Sequence, residues 1–218
     1  MPRRALIENR PWLLLGIALA LSFWMVSGSA VGELYQMALK GGSVAALAIY
    51  AFLNGQGRNA LLVALVMALG AAGDIGMELD TVTGGAFFAA AHIVAIALYL
   101  LNPRARRSAS QIAAAAALAV LVPAIAWQLS GDVLAGVYGI ALGLMAATAW
   151  LSRFSRYAVG MGALLFVASD MLIFARLGGR IAPEAAAWLV WPLYYAGQLM
   201  IVTGVVHQRI ARERALAG

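Results

Sequence analysis

The chain contains no cysteine, a single lysine and only two histidines. Without cysteine there is no disulfide framework, no thiol nucleophile and no thiolate metal site. The histidines, His92 and His207, are too few and too far apart for a three-histidine zinc site. An H-E-x-x-H pair, a G-x-S-x-G elbow and a phosphate-binding loop with lysine are also lacking. No metal and no cofactor is therefore expected. Charge is scarce as well: 11% of the 218 residues are charged and 64% are hydrophobic, too little polar surface for a soluble domain of this size. The formal charge of +6 does not imply nucleic acid, because the arginines fall in short loops between apolar runs.

Those apolar runs are what the chain does have. A membrane span needs about 20 apolar residues. Eight runs qualify: 12–31, 34–53, 60–79, 84–102, 109–129, 132–152, 157–177 and 185–208. They do not alternate apolar with polar residues, which excludes a β-barrel. Lipid then forces each segment to bond its own backbone, so the segments are helices. The expected fold is an all-α integral membrane protein, with eight transmembrane helices in one bundle and a single domain over 1–218. Basic residues set its orientation. With the N-terminus in the cytoplasm, twelve of the fourteen arginines fall on inside segments; Arg176 and Arg180 fall outside. Glu33, Glu78, Asp80, Asp132 and Glu184 fall near the outer ends. This alternation predicts both termini inside. The first run is too long for a typical signal-peptide core, and removing it would leave an odd number of spans.

Two acids stand deep inside apolar runs: Asp74 in helix 3 and Asp170 in helix 7. A carboxylate is costly in hydrocarbon, so each marks a functional site by default. Asp74 is 14 residues past Ala60 and Asp170 is 13 past Tyr157. On helices rising from the inside, both lie about 20 Å above the cytoplasmic end at 1.5 Å per residue. Arg58 and Arg153 precede the two helices at nearly the same spacing, which hints at a four-plus-four parallel repeat. Low dielectric favours the neutral carboxyl, and two neighbouring carboxyls titrate as a unit. The pair would supply a general acid beside a base or a cation stabiliser. The plainer reading is that each aspartate bonds neighbouring helices.

Other polar groups fall near the same level. Lys40 lies one to two turns below the outer end of helix 2, where it serves the site or snorkels to the interface. His92 lies about 12 Å below Gly84 by helical rise, as a functional group or a bonded core residue. Glu78 is four residues beyond Asp74 on the same face, nearer water. Tyr194 and Gln198 share a face of helix 8, beside Tyr195, as site residues or interhelical glue. Ser169 adjoins Asp170 but faces elsewhere. Gly28-x-x-x-Gly32 and Gly139-x-x-x-Gly143 allow close helix contact, within the chain or in a homo-oligomer. Trp12, Trp24, Trp127, Trp150, Trp188 and Trp191 read mostly as interface anchors.

At these residues the chain resembles the YhhN-like lysoplasmalogenase family. The matching pieces are Gly73-Asp74-Ile75, Gly85-x-Phe87 with His92, Gly162-Ala163-Leu164-Leu165-Phe166-x-x-Ser169-Asp170 and Tyr194-Tyr195-x-x-Gln198-Leu199. The chain departs from the pattern at Ala95, where members often carry tyrosine, and at Gly41, where proline often follows the lysine. The resemblance implies hydrolysis of the vinyl-ether bond of lysoplasmalogens, releasing a fatty aldehyde and glycerophosphoethanolamine or glycerophosphocholine. It implies Asp74 and Asp170 as the catalytic pair, with Lys40, Glu78, His92, Tyr194, Tyr195 and Gln198 supporting. A lysophospholipid and the surrounding lipids would be the partners, and a bacterial inner membrane the location. A proton-coupled transporter or cation channel is the competing reading of two intramembrane acids. A hydrolase of another lysolipid, or a membrane subunit without turnover, also remains open.

Overall fold

The computed structural model describes residues 10–55 and 57–217, with side chains as far as His207. Arg3 and Arg4, and the side chains of Arg209, Arg212 and Arg214, lie outside the described residues. Among the described residues there are eight helices and no strand: α1 (Arg10–Val26), α2 (Glu33–Asn54), α3 (Arg58–Leu79), α4 (Thr81–Leu100), α5 (Ala109–Ser130), α6 (Val133–Leu151), α7 (Met161–Leu177) and α8 (Pro183–Ala217). A π-helical turn, Arg156–Gly160, leads into α7. Seven of these segments, from α2 to α8 with that turn included, are long and apolar enough to cross a membrane. The chain is thus a multi-pass integral membrane protein. Its many exposed large apolar residues, such as Ile93, Val120, Val137 and Leu189, fit a lipid-facing surface.

α1 is shorter than its apolar run predicts, and the cause is local. The Ser27 and Ser29 hydroxyls donate to the carbonyls of Trp24 (2.9 Å) and Val26 (2.6 Å), and Gly28 has φ +81°. These residues close the helix. Gly28 and Gly32 therefore belong to a connection, and the helix-contact stripe expected there is not formed. The other boundaries follow their caps. Ser108 and Gln111 form a reciprocal capping box at the start of α5. Gly131, at φ +71°, ends α5, and the Asp132 side chain accepts from Leu134 N–H to start α6. Asp80 accepts both the N–H and the hydroxyl of Thr83 at the start of α4. Those bonds, the hydroxyl first, hold its carboxyl below the usual carboxylate range. α8 starts with Pro183 in its first turn, where a missing N–H costs nothing, and runs well past the apolar stretch.

The chain resolves into two compact units, residues 1–91 and 92–218, with the boundary inside α4. In the first unit, small residues bring helices close. A Cβ on Gly41 of α2 would meet Ile75 of α3 at 2.7 Å, and one on Gly76 would meet Gly84 Cα at 3.0 Å. In the second unit, Gly139 and Gly143 of α6 lie against α5. Added Cβ atoms there would meet Pro123 Cα at 2.8 Å and the Leu118 carbonyl at 2.7 Å. This glycine pair thus serves packing within the chain. Gly162 of α7 and Gly197 of α8 face each other in the same way, each 2.7 Å from the other's carbonyl by that measure. That crossing holds the α7 and α8 faces that carry the polar groups described next.

Candidate active site

In the second unit, three side chains from three helices form a hydrogen-bonded chain. Tyr138 of α6 donates its hydroxyl proton to Asp170 Oδ2 of α7 at 2.8 Å. His92 Nε2 of α4 lies 2.9 Å from the same hydroxyl oxygen. A phenol has one proton to give, so in this arrangement the His92 Nε2 carries the proton shared with the Tyr138 oxygen. Asp170 is 6% exposed and His92 2%, so water contributes little at either end. Aromatic rings frame the chain. Phe166 packs edge-on against His92 (5.0 Å between centroids) and Tyr194 (5.2 Å). Phe166 and Asp170 are four residues apart, one helical turn along one face of α7.

On α8, Gln198 Nε2 donates to the Tyr194 hydroxyl at 3.3 Å, which agrees with their shared face. The Gln198 Oε1 and the Tyr195 hydroxyl are buried without a hydrogen-bond partner among the described residues. Buried polar atoms are rarely left so, and at a candidate site they are natural contacts for substrate or water. Trp191 is 6% exposed and packs on Tyr194 and Tyr195, at 5.5 Å and 5.9 Å. It is a core residue here, whereas Trp127 and Trp188 are exposed as interface anchors would be. Ser169 does turn from Asp170: its hydroxyl donates to the Val190 carbonyl at 3.0 Å.

The first unit carries Asp74 on α3, 2% exposed. Glu78, one turn along the same face, pairs with Lys40 of α2 at 3.0 Å. The Lys40 side chain is 17% exposed and that of Glu78 35%, and the ammonium also sits 5.9 Å from the Phe23 ring. Lys40 thus has a counter-charge and an aromatic face, more than snorkelling requires. Gly73 leaves room for Phe88, whose ring a Cβ there would meet at 3.0 Å.

Sequence reasoning missed Tyr138. One signal was available: it lies five residues into α6 between Gly136 and Gly139, too deep for an interfacial aromatic. Among the described residues no group of three or more histidine, aspartate or glutamate side chains is placed to hold a metal ion. No curated protein and no solved structure matches the chain. The model of the YhhN family matches residues 35–205, a stretch that includes Lys40, both buried aspartates, His92, Tyr138 and Gln198. The chain belongs to the YhhN family.

Proposed function

We propose that this protein is a membrane-embedded hydrolase that cleaves the vinyl-ether bond of lysoplasmalogens, with Asp74 and Asp170 as its acid-base pair. Family membership supports the reaction class. The observation that carries the site is the buried chain from Asp170 through Tyr138 to His92. Asp170 accepts the Tyr138 hydroxyl at the end of this chain, so it takes the role of base and cation stabiliser. Asp74 takes the role of acid.

The steps balance. Asp74 gives its proton to the outer alkenyl carbon, leaving an oxocarbenium ion on the ether side. Water adds to the ether-side carbon, the one bonded to oxygen, and loses a proton to Asp170. The hemiacetal collapses by moving its hydroxyl proton to the departing alcohol oxygen, releasing the aldehyde and the glycerophospho alcohol. To restart the cycle Asp170 gives up its proton, for which Tyr138 and His92 offer a route, and Asp74 takes one up. Lys40 would bind the head-group phosphate. Tyr195 and Gln198 would contact the substrate or the attacking water through their unpartnered oxygens. The protein would span the membrane eight times, both termini in the cytoplasm, in a bacterial inner membrane.

The test is fatty-aldehyde release from ethanolamine and choline lysoplasmalogens by detergent-purified protein, beside Asp74→Asn and Asp170→Asn. Release by the wild type and its loss in both variants, with helicity intact, is the expected result. No release from either substrate would sink the lysoplasmalogenase reading and turn attention to other lysolipids and to proton-coupled uptake. Activity surviving both substitutions would leave the reaction and remove the aspartate mechanism.

A further inference from the structure

Gln198 is 1% exposed and Tyr195 7%, yet the Gln198 Oε1 and the Tyr195 hydroxyl have no hydrogen-bond partner among the described residues. Leaving a buried polar atom unpaired is costly. Both residues stand on the apolar, span-length part of α8, where lipid offers no replacement bond. They are three residues apart, neighbours on one helix face. The Gln198 amide is also oriented. Its Nε2 donates to the Tyr194 hydroxyl at 3.3 Å, which leaves Oε1 as an acceptor facing elsewhere. The Tyr194 ring is wedged between Phe166 and Trp191, at 5.2 Å and 5.5 Å between centroids.

What Oε1 lacks is a donor. An ether oxygen, an ester carbonyl and an ionised phosphate only accept, so none of them answers it; a hydroxyl does. The Tyr195 hydroxyl can both donate and accept, so it can take the other side of the same group. The place is also right. α7 and α8 run antiparallel here: Gly162 lies against Gly197, Phe166 against Tyr194, and Ser169 bonds the Val190 carbonyl. Helical side chains lean toward their own N-terminus. Asp170 therefore leans toward the turn of Phe166 and Gln198 toward the turn of Tyr194, and those two turns touch. In a lysolipid ether the free hydroxyl sits one carbon from the carbon that bears the ether oxygen, close to the bond on which Asp170 would work. Water is the rival occupant. A buried water usually makes about three hydrogen bonds, more than these two groups offer.

We propose that Gln198 accepts a hydrogen bond from the free secondary hydroxyl of the lysolipid glycerol, with Tyr195 as the second partner. The contact selects lysolipids over lipids acylated at that oxygen, which have no proton to give there. It rests on the lysolipid reading proposed above, but its binding test needs no turnover.

The full-length protein in neutral detergent would be titrated with a 1-O-alkyl-2-hydroxy-glycerophosphocholine, whose saturated ether has no alkene to protonate, and with its 2-deoxy counterpart. Both would be added at equal mole fractions while the thermal midpoint is followed. A ligand that binds the folded state raises that midpoint. The hydroxyl lipid is expected to bind the wild type about tenfold more tightly than the deoxy lipid. That preference should vanish in Gln198→Met and weaken in Tyr195→Phe. Gln198→Asn, which draws the amide back by one methylene, carries the same test should Gln198→Met fail to fold. Aldehyde release from a lysoplasmalogen and its 2-deoxy analogue would be measured beside it, with the same preference expected in kcat/KM. A binding preference without any aldehyde sinks the hydrolase reading and leaves the hydroxyl contact. Aldehyde release with equal binding and equal kcat/KM for the two lipids overturns the contact and leaves the hydrolase. A preference that survives the Gln198 substitutions also overturns it, and an equal fall in kcat for both substrates there would assign the oxygen to a water.

Discussion

Asp74 and Asp170 are buried to a similar degree, 2% and 6% exposed, yet the charges around them are handled differently. In the first unit the turn beyond Asp74 carries a full ion pair, Lys40 with Glu78, partly open to solvent. In the second unit the partners are a phenol and an imidazole, enclosed by rings. An ion pair near water fixes charge in place and is screened by salt. A hydrogen-bonded chain shares its charge among bonded partners and can pass a proton without moving a heavy atom. The contrast matches the division of labour proposed for the two carboxyls.

The contrast breaks most directly at the aspartates. If both carboxyls take part in one reaction, Asp74→Asn and Asp170→Asn should each lower the aldehyde-release rate by roughly 10²–10⁴-fold, the usual range for general acid-base groups. A large loss in only one would confine the chemistry to one unit. Tyr138→Phe comes next. It removes the hydroxyl that Asp170 and His92 share, a loss of about 1.5–3 kcal/mol for a bond to a charged group, or roughly ten- to hundredfold in kcat/KM. His92→Phe should give a smaller loss in the same direction, since the bond from Tyr138 to Asp170 survives it.

The packing beneath the two sites differs too. Gly162→Ala would push a methyl into the Gly197 carbonyl, which is backbone, and should cost about 1–3 kcal/mol in detergent unfolding. Gly41→Ala meets the Ile75 side chain instead, which can turn away, and should cost less. The smallest effect is expected from Lys40→Met. Exposed and half-exposed ion pairs contribute about 0–1 kcal/mol, so unfolding should scarcely change. A rise in KM with kcat unchanged would tie Lys40 to the substrate phosphate, and no kinetic change would leave it structural.

Much of this was legible in the chain because membranes simplify the problem. Apolar runs locate helices, and the two aspartates stand out against them by composition alone. The shared face of Tyr194 and Gln198 follows from a spacing of four, and the turning away of Ser169 from a spacing of one. What was not legible is set by tertiary contact or by local hydrogen bonds. Tyr138 gains its meaning from residues 46 and 32 positions away. Trp191 has the sequence neighbourhood of an interface anchor and is buried against its own helix's tyrosines. Gly28 and Gly32 have helix-contact spacing, but two serine hydroxyls and one left-handed residue end the helix first.

The phenol between Asp170 and His92 also gives that chain a polarity. With one hydroxyl proton and two neighbours, Tyr138 can point toward the carboxyl or toward the ring, and never both. When Asp170 holds a proton on the oxygen facing Tyr138, the hydroxyl turns, and His92 accepts it at Nε2 once the ring's own proton has passed from Nε2 to Nδ1. The imidazole then reports, from two hydrogen bonds away, whether Asp170 is protonated. Nitrogen-15 spectra of a histidine-labelled sample would read this directly, because the ring nitrogens exchange character when the chain reverses. His92 is therefore a built-in gauge of the proton on Asp170 that needs no added probe.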